Sequence, residues 1–536
     1  MQPEIQKITY PVGFARTIIV ITTVSAAIME LIDTSIVNVA LTRIAGNLGV
    51  SIEDMSWVIT AYAIANVVII PMTGFLQQYF GRKNYYLVSM VLFTVASYCC
   101  GASSSLGELV LWRFLQGIGG GALLSTSQGI LFDAFPPEKR ALAGGFFGMG
   151  IVLGPTLGPT VGGWILDNTE HWGWIFYVNI PIGILATYLT YTFIEKKWDE
   201  GKNKNNIHID WLGIILLMAG VGCLQFTLER GETEDWFNST IIQWTAAIAT
   251  IGLILFVWRE LNIKYPVVNL RVLNNRTLAI TTVFTFVVGI GLFTSVYVYP
   301  VLMQRVVGWS PLVTGLSLLP PTLAGIIIFP IVGKRMSTGA NPLPFVIAGF
   351  IFFIAFGFTG SDLSNDINRW NVFVPLLYRA FGISLLQLPL INASVATLKP
   401  QDYPAGIAIN NMIRQLGGSF GIALSNNYIN QQYAQHRLDL VTKVTTDNPV
   451  VQERIATITQ GLISRTGDAA SAVVQTYKSI DLSVDRQAYF LSYLDTFRMI
   501  SLFFIIVFPL IFFLKFKKDK KASLNNEAKQ ALEGAH

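Results

Sequence analysis

The stretch IMELIDTSIVNVAL (residues 28–41) sets Glu30 and Asp33 inside an otherwise apolar run. Residues three apart share one face of a helix, with Cβ atoms roughly 5–6 Å from each other. Two carboxylates that close in a poor dielectric do not ionise together easily, so at least one is expected to hold a proton. The chemistry on offer is therefore reversible proton loading, or capture of a cation, by a buried acidic pair. An ionised group at the centre of a bilayer costs at least ~2.5–3.5 kcal/mol on insertion scales, so a chain that keeps two such groups there has a use for them.

The elements that position this pair follow from composition. Of 536 residues, 52% are hydrophobic and only 13% are charged, about half the charge of a soluble domain. Apolar runs of the ~20 residues that span a bilayer recur along nearly the whole chain. Fourteen candidate spans result, the first over about 15–38, the fourth over 107–132 and the last over 489–514. The fold class is an all-α polytopic membrane protein. The first apolar run lacks a small-residue cleavage site and reads as a retained helix. Lys and Arg concentrate in the N-terminal segment, in GRK, PPEKR and EKKWDEGKNKNN, and in the tail beginning KFKKDKK. By the positive-inside rule that bias puts both termini in the cytoplasm. The segment 195–208 is a polar linker, and 430–488 is a long external loop with helical stretches such as VVQERIATITQGLISR. It reads as either a solvated connector or a folded cap.

Depth suggests a partner for the acids. Asp33 lies about five residues, or ~7.5 Å, inside the external end of the first span, and Arg113 a similar distance inside the fourth. The two are expected to meet across a bundle, either as a static ion pair or as part of proton or substrate handling. Arg379 and Arg414 fall within the twelfth and thirteenth spans without a carboxylate at matching depth, whereas Arg498 has Asp495 three residues away as a local partner. In GMGIVLGPTLGPTVGGW (148–164) glycines recur at near-four spacing, which smooths one helix face for close approach. Pro155 and Pro159 each remove a backbone donor there. No phosphate-binding glycine loop and no zinc motif is present. The four histidines lie outside the spans, and Cys99, Cys100 and Cys223 have neither disulfide nor metal-ligand spacing. No metal, cofactor or nucleic acid is expected, and an ion gradient is left as the energy source for anything pumped.

Six motifs in order resemble the major facilitator superfamily, in particular its fourteen-span EmrB/QacA drug/proton antiporters. They are LIDTSIVNVAL, GFLQQYFGRK (74–83), LWRFLQGIGGG (111–121), GPTLGPTVGGW, HWGWIFYVNIPIG (171–183) and the pair YRAFGISLLQLPL and NNMIRQLGGSFGIAL. The resemblance implies two six-helix bundles, 1–194 and 278–536, with two extra helices in 195–277 and alternating access to a central cavity. It implies proton coupling at Asp33 and Arg113, to which Glu30 is added from its position alone. Substrate contacts are expected at Glu30, Asp33, Gln116, Gln387, Asn410 and Arg414. Gating or structural roles fall to Gly74, Gly81, Arg82, Gly154, Pro155, Gly158, Pro159 and Gly162. Gln78 stands where the family's loop motif usually carries Asp, which puts that motif's charge lock in doubt.

On this reading the protein is a bacterial inner-membrane antiporter that exchanges protons for lipophilic or cationic drugs. A periplasmic adaptor and an outer-membrane channel are implied partners beside the membrane lipids. Two alternatives stay open: an exporter of an anionic metabolite such as a fatty acid or siderophore, and a non-transporting sensor on the same scaffold.

Overall fold

A computed structural model describes residues 10–194, 209–364, 367–399, 402–445 and 447–514. The N-terminal segment, the linker 195–208 and the tail from 515, on which much of the charge bias rests, lie outside the described residues. The first six long helices are α1 (Gly13–Leu48), α2 (Trp57–Phe80), α3 (Arg82–Ala102), α4 (Leu106–Asp133), α5 (Arg140–Asn168) and α6 (Asn179–Phe193). A pair follows, α7 (Trp211–Arg230) and α8 (Thr240–Asn262). Next come α9 (Arg276–Val301), α10 (Pro311–Ser337), α11 (Leu343–Ser361), α12 (Arg369–Ala396), α13 (Tyr403–Val441), α14 (Pro449–Thr466) and α15 (Ala469–Val507). No strand occurs among the described residues.

Polar side chains mark where several of these helices begin. Ser105, Asp210, Asn275, Ser310 and Asn368 each accept a backbone N–H of the first turn that would otherwise lack a partner. Gly49 ends α1 in the left-handed conformation, at φ 68°. Gly81 joins α2 to α3 at φ 82°, a backbone angle that L side chains rarely adopt.

Twelve helices among the described residues are long and apolar enough to cross a membrane. α4 and α13 fall outside that set by composition, not by length. At 28 and 39 residues they reach roughly 42 and 58 Å, and α4 packs against α2 and α3 as α13 does against α9 and α15. Their buried faces carry Arg113, Gln116, Gln128, Asn410, Asn411 and Arg414, which lowers mean hydropathy in the two helices that line the interior. Lipid offers no hydrophobic drive for helix association, so small residues and close packing must hold the bundle together. In the second bundle much of that packing is aromatic: Phe353 stacks on Phe504 at 4.1 Å, and Phe350 and Phe356 meet neighbouring rings edge-on.

Three expectations need correction. α1 does not stop near 38 but runs to Leu48, so Asp33 sits far deeper than five residues from its end. The extension is possible because Asn38, Thr42 and Asn47 are exposed and give the last turns a polar face. Arg498 does not pair with Asp495. It donates to Ser361 of α11 and to Asp362 just past its end, while Asp495 takes His436. Neighbouring helices offer better-directed partners than the next turn does. The glycine row of α5 also divides in two. Gly154, Gly158 and Gly162 pack on α1 within the first bundle, and a Cβ at Gly158 would lie 2.9 Å from the Ile36 nitrogen. The seam with α10 uses Gly145, Gly148 and Gly163 instead.

The segment 430–488 is folded. α13 and α15 run on past the bundle, and α14 packs on α15 to complete a cap. Tyr433 stacks on Tyr489 at 4.1 Å, and Arg437 bonds to Asp481 and Asp485. The face opposite the cap, the terminal face, carries the described ends of the chain. The two bundles close on each other near it. Gly74 lies 3.6 Å from the Pro404–Ala405 backbone where a Cβ would stand, Arg140 donates to the Tyr403 hydroxyl at 2.9 Å, and Asn411 donates to Ser125 and Gln128. Pro155 and Pro159 lie within α5, which continues through both. Gln78 is exposed, and Arg82 instead forms an ion pair with Asp133 at the end of α4.

Candidate functional site

The glycines of QGIGGG in α4 bring three helices together around α1. A Cβ at Gly121 would stand 2.6 Å from the Asn66 carbonyl of α2, and one at Gly119 would stand 2.8 Å from the Phe93 nitrogen of α3. Only bare glycine permits that approach. It sets Tyr62 and Asn66 of α2 and Ser97 of α3 beside the two acids of α1.

Asp33 and Arg113 do meet. Asp33, with no exposed surface, takes an Arg113 guanidinium N–H at 2.5 Å on Oδ2. Its Oδ1 accepts the amides of Gln116 and Asn179, both at 2.8 Å. Gln116 returns its carbonyl to Arg113 at 2.8 Å, and the Ser97 hydroxyl takes the remaining amide hydrogens of Gln116 and Asn179. The guanidinium also lies over the Tyr62 ring at 4.2 Å. Such a network holds both charges in place, with three donors on Asp33 and the guanidinium shared between Asp33 and Gln116.

Glu30 is set apart from that network, which revises the expected shared pair. One turn along α1, its side chain faces α2, where Oε1 accepts from Asn66 at 3.0 Å and from the Tyr62 hydroxyl at 3.3 Å. Its Oε2 is buried with no hydrogen-bond partner. A cation of the other bundle, Arg414 of α13, is buried as well. Tyr62 touches both networks, through its ring and its hydroxyl.

The remaining expected contacts separate from the acids. Gln387, Asn410 and Arg414 line one polar cavity with Gln128, Thr285 and Asn411, between the bundles and no larger than about one water. The Asn410 amide nitrogen has no partner there. Gln116 is absent from that cavity and belongs to Asp33. Arg379 is buried against the Ser295 hydroxyl at 3.2 Å and pairs with no carboxylate among the described residues. Among the described residues no group of His, Cys, Asp and Glu could hold a metal ion.

Sequence reasoning passed over Asn66, Ser97 and Asn179, and also Gln225, which donates to Glu229 and to Ser419 of α13. The available signal was a neutral polar side chain inside an apolar run, which in a membrane helix points at a partner more often than at lipid.

Two helical bundles of membrane-spanning length that meet across a polar seam make the class a polytopic membrane protein. The sequence pattern of the Major Facilitator Superfamily matches residues 23–422, and the chain belongs to that family. It is 32% identical to the fatty acid resistance protein FarB of Neisseria gonorrhoeae over 91% of this chain and 94% of that protein. It is 34% identical to the multidrug export protein EmrB of Haemophilus influenzae, over 80% and 83% of the two chains. With EmrB of Escherichia coli K12 the identity is 30%, over 91% and 93%. Among solved structures, the human organic anion transporter MFSD10 superposes with a TM-score of 0.57 at 13% identity, over 92% of this chain and 99% of that one. That likeness supports the fold alone.

Proposed function

We propose that the protein is a proton-coupled efflux antiporter for lipophilic and cationic compounds, with Glu30 as the group that exchanges proton for cargo. The observation that carries this reading is the contrast between the two acids. Asp33 is held by three donors, whereas Glu30 keeps one buried oxygen unpartnered. A proton or a cation can be received only where the carboxylate is not already committed. The Asp33–Arg113 network then serves to hold α1, α4 and α6 in register around Glu30. Relatives named for multidrug export support the assignment to efflux.

In the cycle, cargo enters from the cytoplasmic side, a proton from outside neutralises Glu30, and the cargo loses its electrostatic partner and leaves outward. The proton gradient supplies the energy and no cofactor takes part. A 100 mV potential is worth ~2.3 kcal/mol per charge moved, so a monovalent cation exchanged one-for-one gains only from the pH difference. We place the protein in a bacterial inner membrane with fourteen spans, counting α4 and α13, and with both termini cytoplasmic. The cap of α13, α14 and α15 exposes Leu438, Val474, Tyr477 and Leu482, a surface for a periplasmic adaptor that leads to an outer-membrane channel.

The anionic alternative draws support from the FarB relative and from Arg379 and Arg414, buried arginines that form no ion pair among the described residues. It meets a sign problem at Arg414. If an acidic cargo paired with that guanidinium, protonating Glu30 would free it and strengthen cargo binding. Proton and cargo would then travel together, the wrong direction for export. A transport panel in inverted vesicles decides the matter. Uptake of ethidium that collapses with a proton uncoupler and in Glu30→Gln supports the cationic reading, and uptake of lipophilic acids alone overturns it.

A further inference from the structure

α3 and α6 run side by side on the outer wall of the first bundle, but they are not equally close along their length. At Gly183 a Cβ would overlap the Thr94 hydroxyl, so the helices touch there. From that contact towards the terminal face they part around a groove of about 540 Å³, lined by Leu87, Val91 and Val95 of α3 and by Ile184, Tyr188 and Tyr191 of α6. The two hydroxyls that border it, of Thr94 and Thr187, are already donated to the carbonyls of Met90 and Gly183, so the lining they offer is apolar. Among the described residues no helix covers the groove: Ile184, Tyr188 and Tyr191 are each more than 60% exposed.

The groove ends in a cation. Lys83, one turn before Leu87, donates to the Tyr191 carbonyl at 2.7 Å and lies 5.4 Å from the Tyr191 ring centroid. An apolar slot of two helical turns, ~12 Å from residue 87 to residue 95, therefore runs from a lysine and two tyrosines at its rim into the hydrocarbon. Tyrosines mark the depth of the head groups, and basic pockets between membrane helices are suited to anionic head groups. We infer that the groove between α3 and α6 holds one acyl chain of an anionic phospholipid whose phosphate pairs with Lys83.

This site is separate from Glu30 yet mechanically joined to Asp33. Ser97 of α3 lies one turn beyond Thr94, and Asn179 opens α6, so both helices that grip the lipid also hold the Asp33 network.

The test uses the full chain purified from membranes that contain phosphatidylglycerol and phosphatidylethanolamine. Native mass spectrometry counts the phospholipid retained, and thermal unfolding is compared in nanodiscs of phosphatidylglycerol and of phosphatidylcholine. Wild type should keep one anionic phospholipid and unfold at higher temperature in phosphatidylglycerol. Val91→Trp fills an exposed wall and should lose both properties, with unfolding in lipid-free detergent unchanged. Lys83→Gln should keep a bound phospholipid but lose the preference for charge. The inference is overturned if wild type retains no more phospholipid than Val91→Trp, if the retained lipid shows no head-group preference, or if added ethidium displaces it one-for-one.

Discussion

The sharpest consequence of the two-network geometry concerns Glu30→Gln. Glu30 accepts two hydrogen bonds, both on Oε1, from Asn66 and Tyr62. A glutamine carbonyl at that place accepts the same two. Its amide nitrogen falls where Oε2 now has no partner, so no existing bond is broken. Exchanging a charged acceptor for a neutral one forgoes up to about 1 kcal/mol per bond, and relief from burying a carboxylate offsets it. The net change in stability should lie within about 1 kcal/mol, with the fold intact. Asp33→Asn is different, because it strands Arg113, 1% exposed, without its counter-ion. Removing one partner of a buried pair costs ~3–5 kcal/mol. Thermal unfolding in detergent should therefore rank wild type level with Glu30→Gln and well above Asp33→Asn. Proton release on adding ethidium to detergent-purified protein should vanish in Glu30→Gln while binding to wild type releases a proton. A stable Glu30→Gln variant that still releases protons and still drives pH-dependent efflux would refute the assignment.

A double variant, Asp33→Asn with Arg113→Gln, removes both charges, so it should recover most of the stability that Asp33→Asn loses, as read from the same unfolding curves. Gly158→Ala would press a Cβ against Ser35 and the Ile36 nitrogen and should cost ~1–3 kcal/mol. Gly46→Ala, where nothing stands within 4 Å, should instead stabilise α1 by ~0.5–1 kcal/mol. Burial would raise the Asp210 carboxyl, but the bonds from Arg259 and the Gly213 N–H outweigh it and hold the group below its ordinary range. The stabilisation is present above the unfolded value of about 3.9 and fades as pH falls through the lower folded value. Tryptophan fluorescence at α7 and α8 should therefore respond to acid only below about pH 4, and Asp210→Asn should remove that response.

Much of the architecture was legible because it rests on periodic apolar runs and glycine spacing, which act locally. The meeting of Asp33 with Arg113 was legible too, although by an argument that misjudged where α1 ends. Apolarity marks the extent of hydrocarbon, whereas a helix goes on while its backbone bonds are satisfied, as the polar turns from Thr42 to Leu48 show. The separation of Glu30 from Asp33 was not legible. Helical spacing places both on one face, but a face about 100° wide touches more than one neighbour. Which neighbour each acid meets depends on Tyr62, Asn66 and Asn179, whose positions follow from packing across tens of residues of sequence. The same holds for α5, where a single glycine row and a second set at 145, 148 and 163 serve different partners.

The distribution of charge between the bundles adds a last constraint. In the first bundle, the first and fourth helices join Asp33 to Arg113. In the second, the corresponding helices α9 and α12 join Ser295 to Arg379, so the arginine remains and the carboxylate is replaced by a hydroxyl. Arg414 likewise forms no ion pair among the described residues, and it lines the cavity between the bundles with Gln128 of the first. On the proposed reading, opposite charges on Glu30 and Arg414 attract across the seam and favour the state in which the bundles meet at the terminal face. Within the proposed cycle, a proton on Glu30 cancels that attraction and lowers the barrier to reopening there. The carboxylate that releases cargo is then also the one that unlatches the seam, which ties the return of the empty carrier to proton entry. Glu30→Gln, lacking the latch, should favour the conformation open at the terminal face, and crosslinking a cysteine pair placed at Gly74 and Ala405 measures that shift. Equal crosslinking yields in wild type and Glu30→Gln would separate the latch from the proton site.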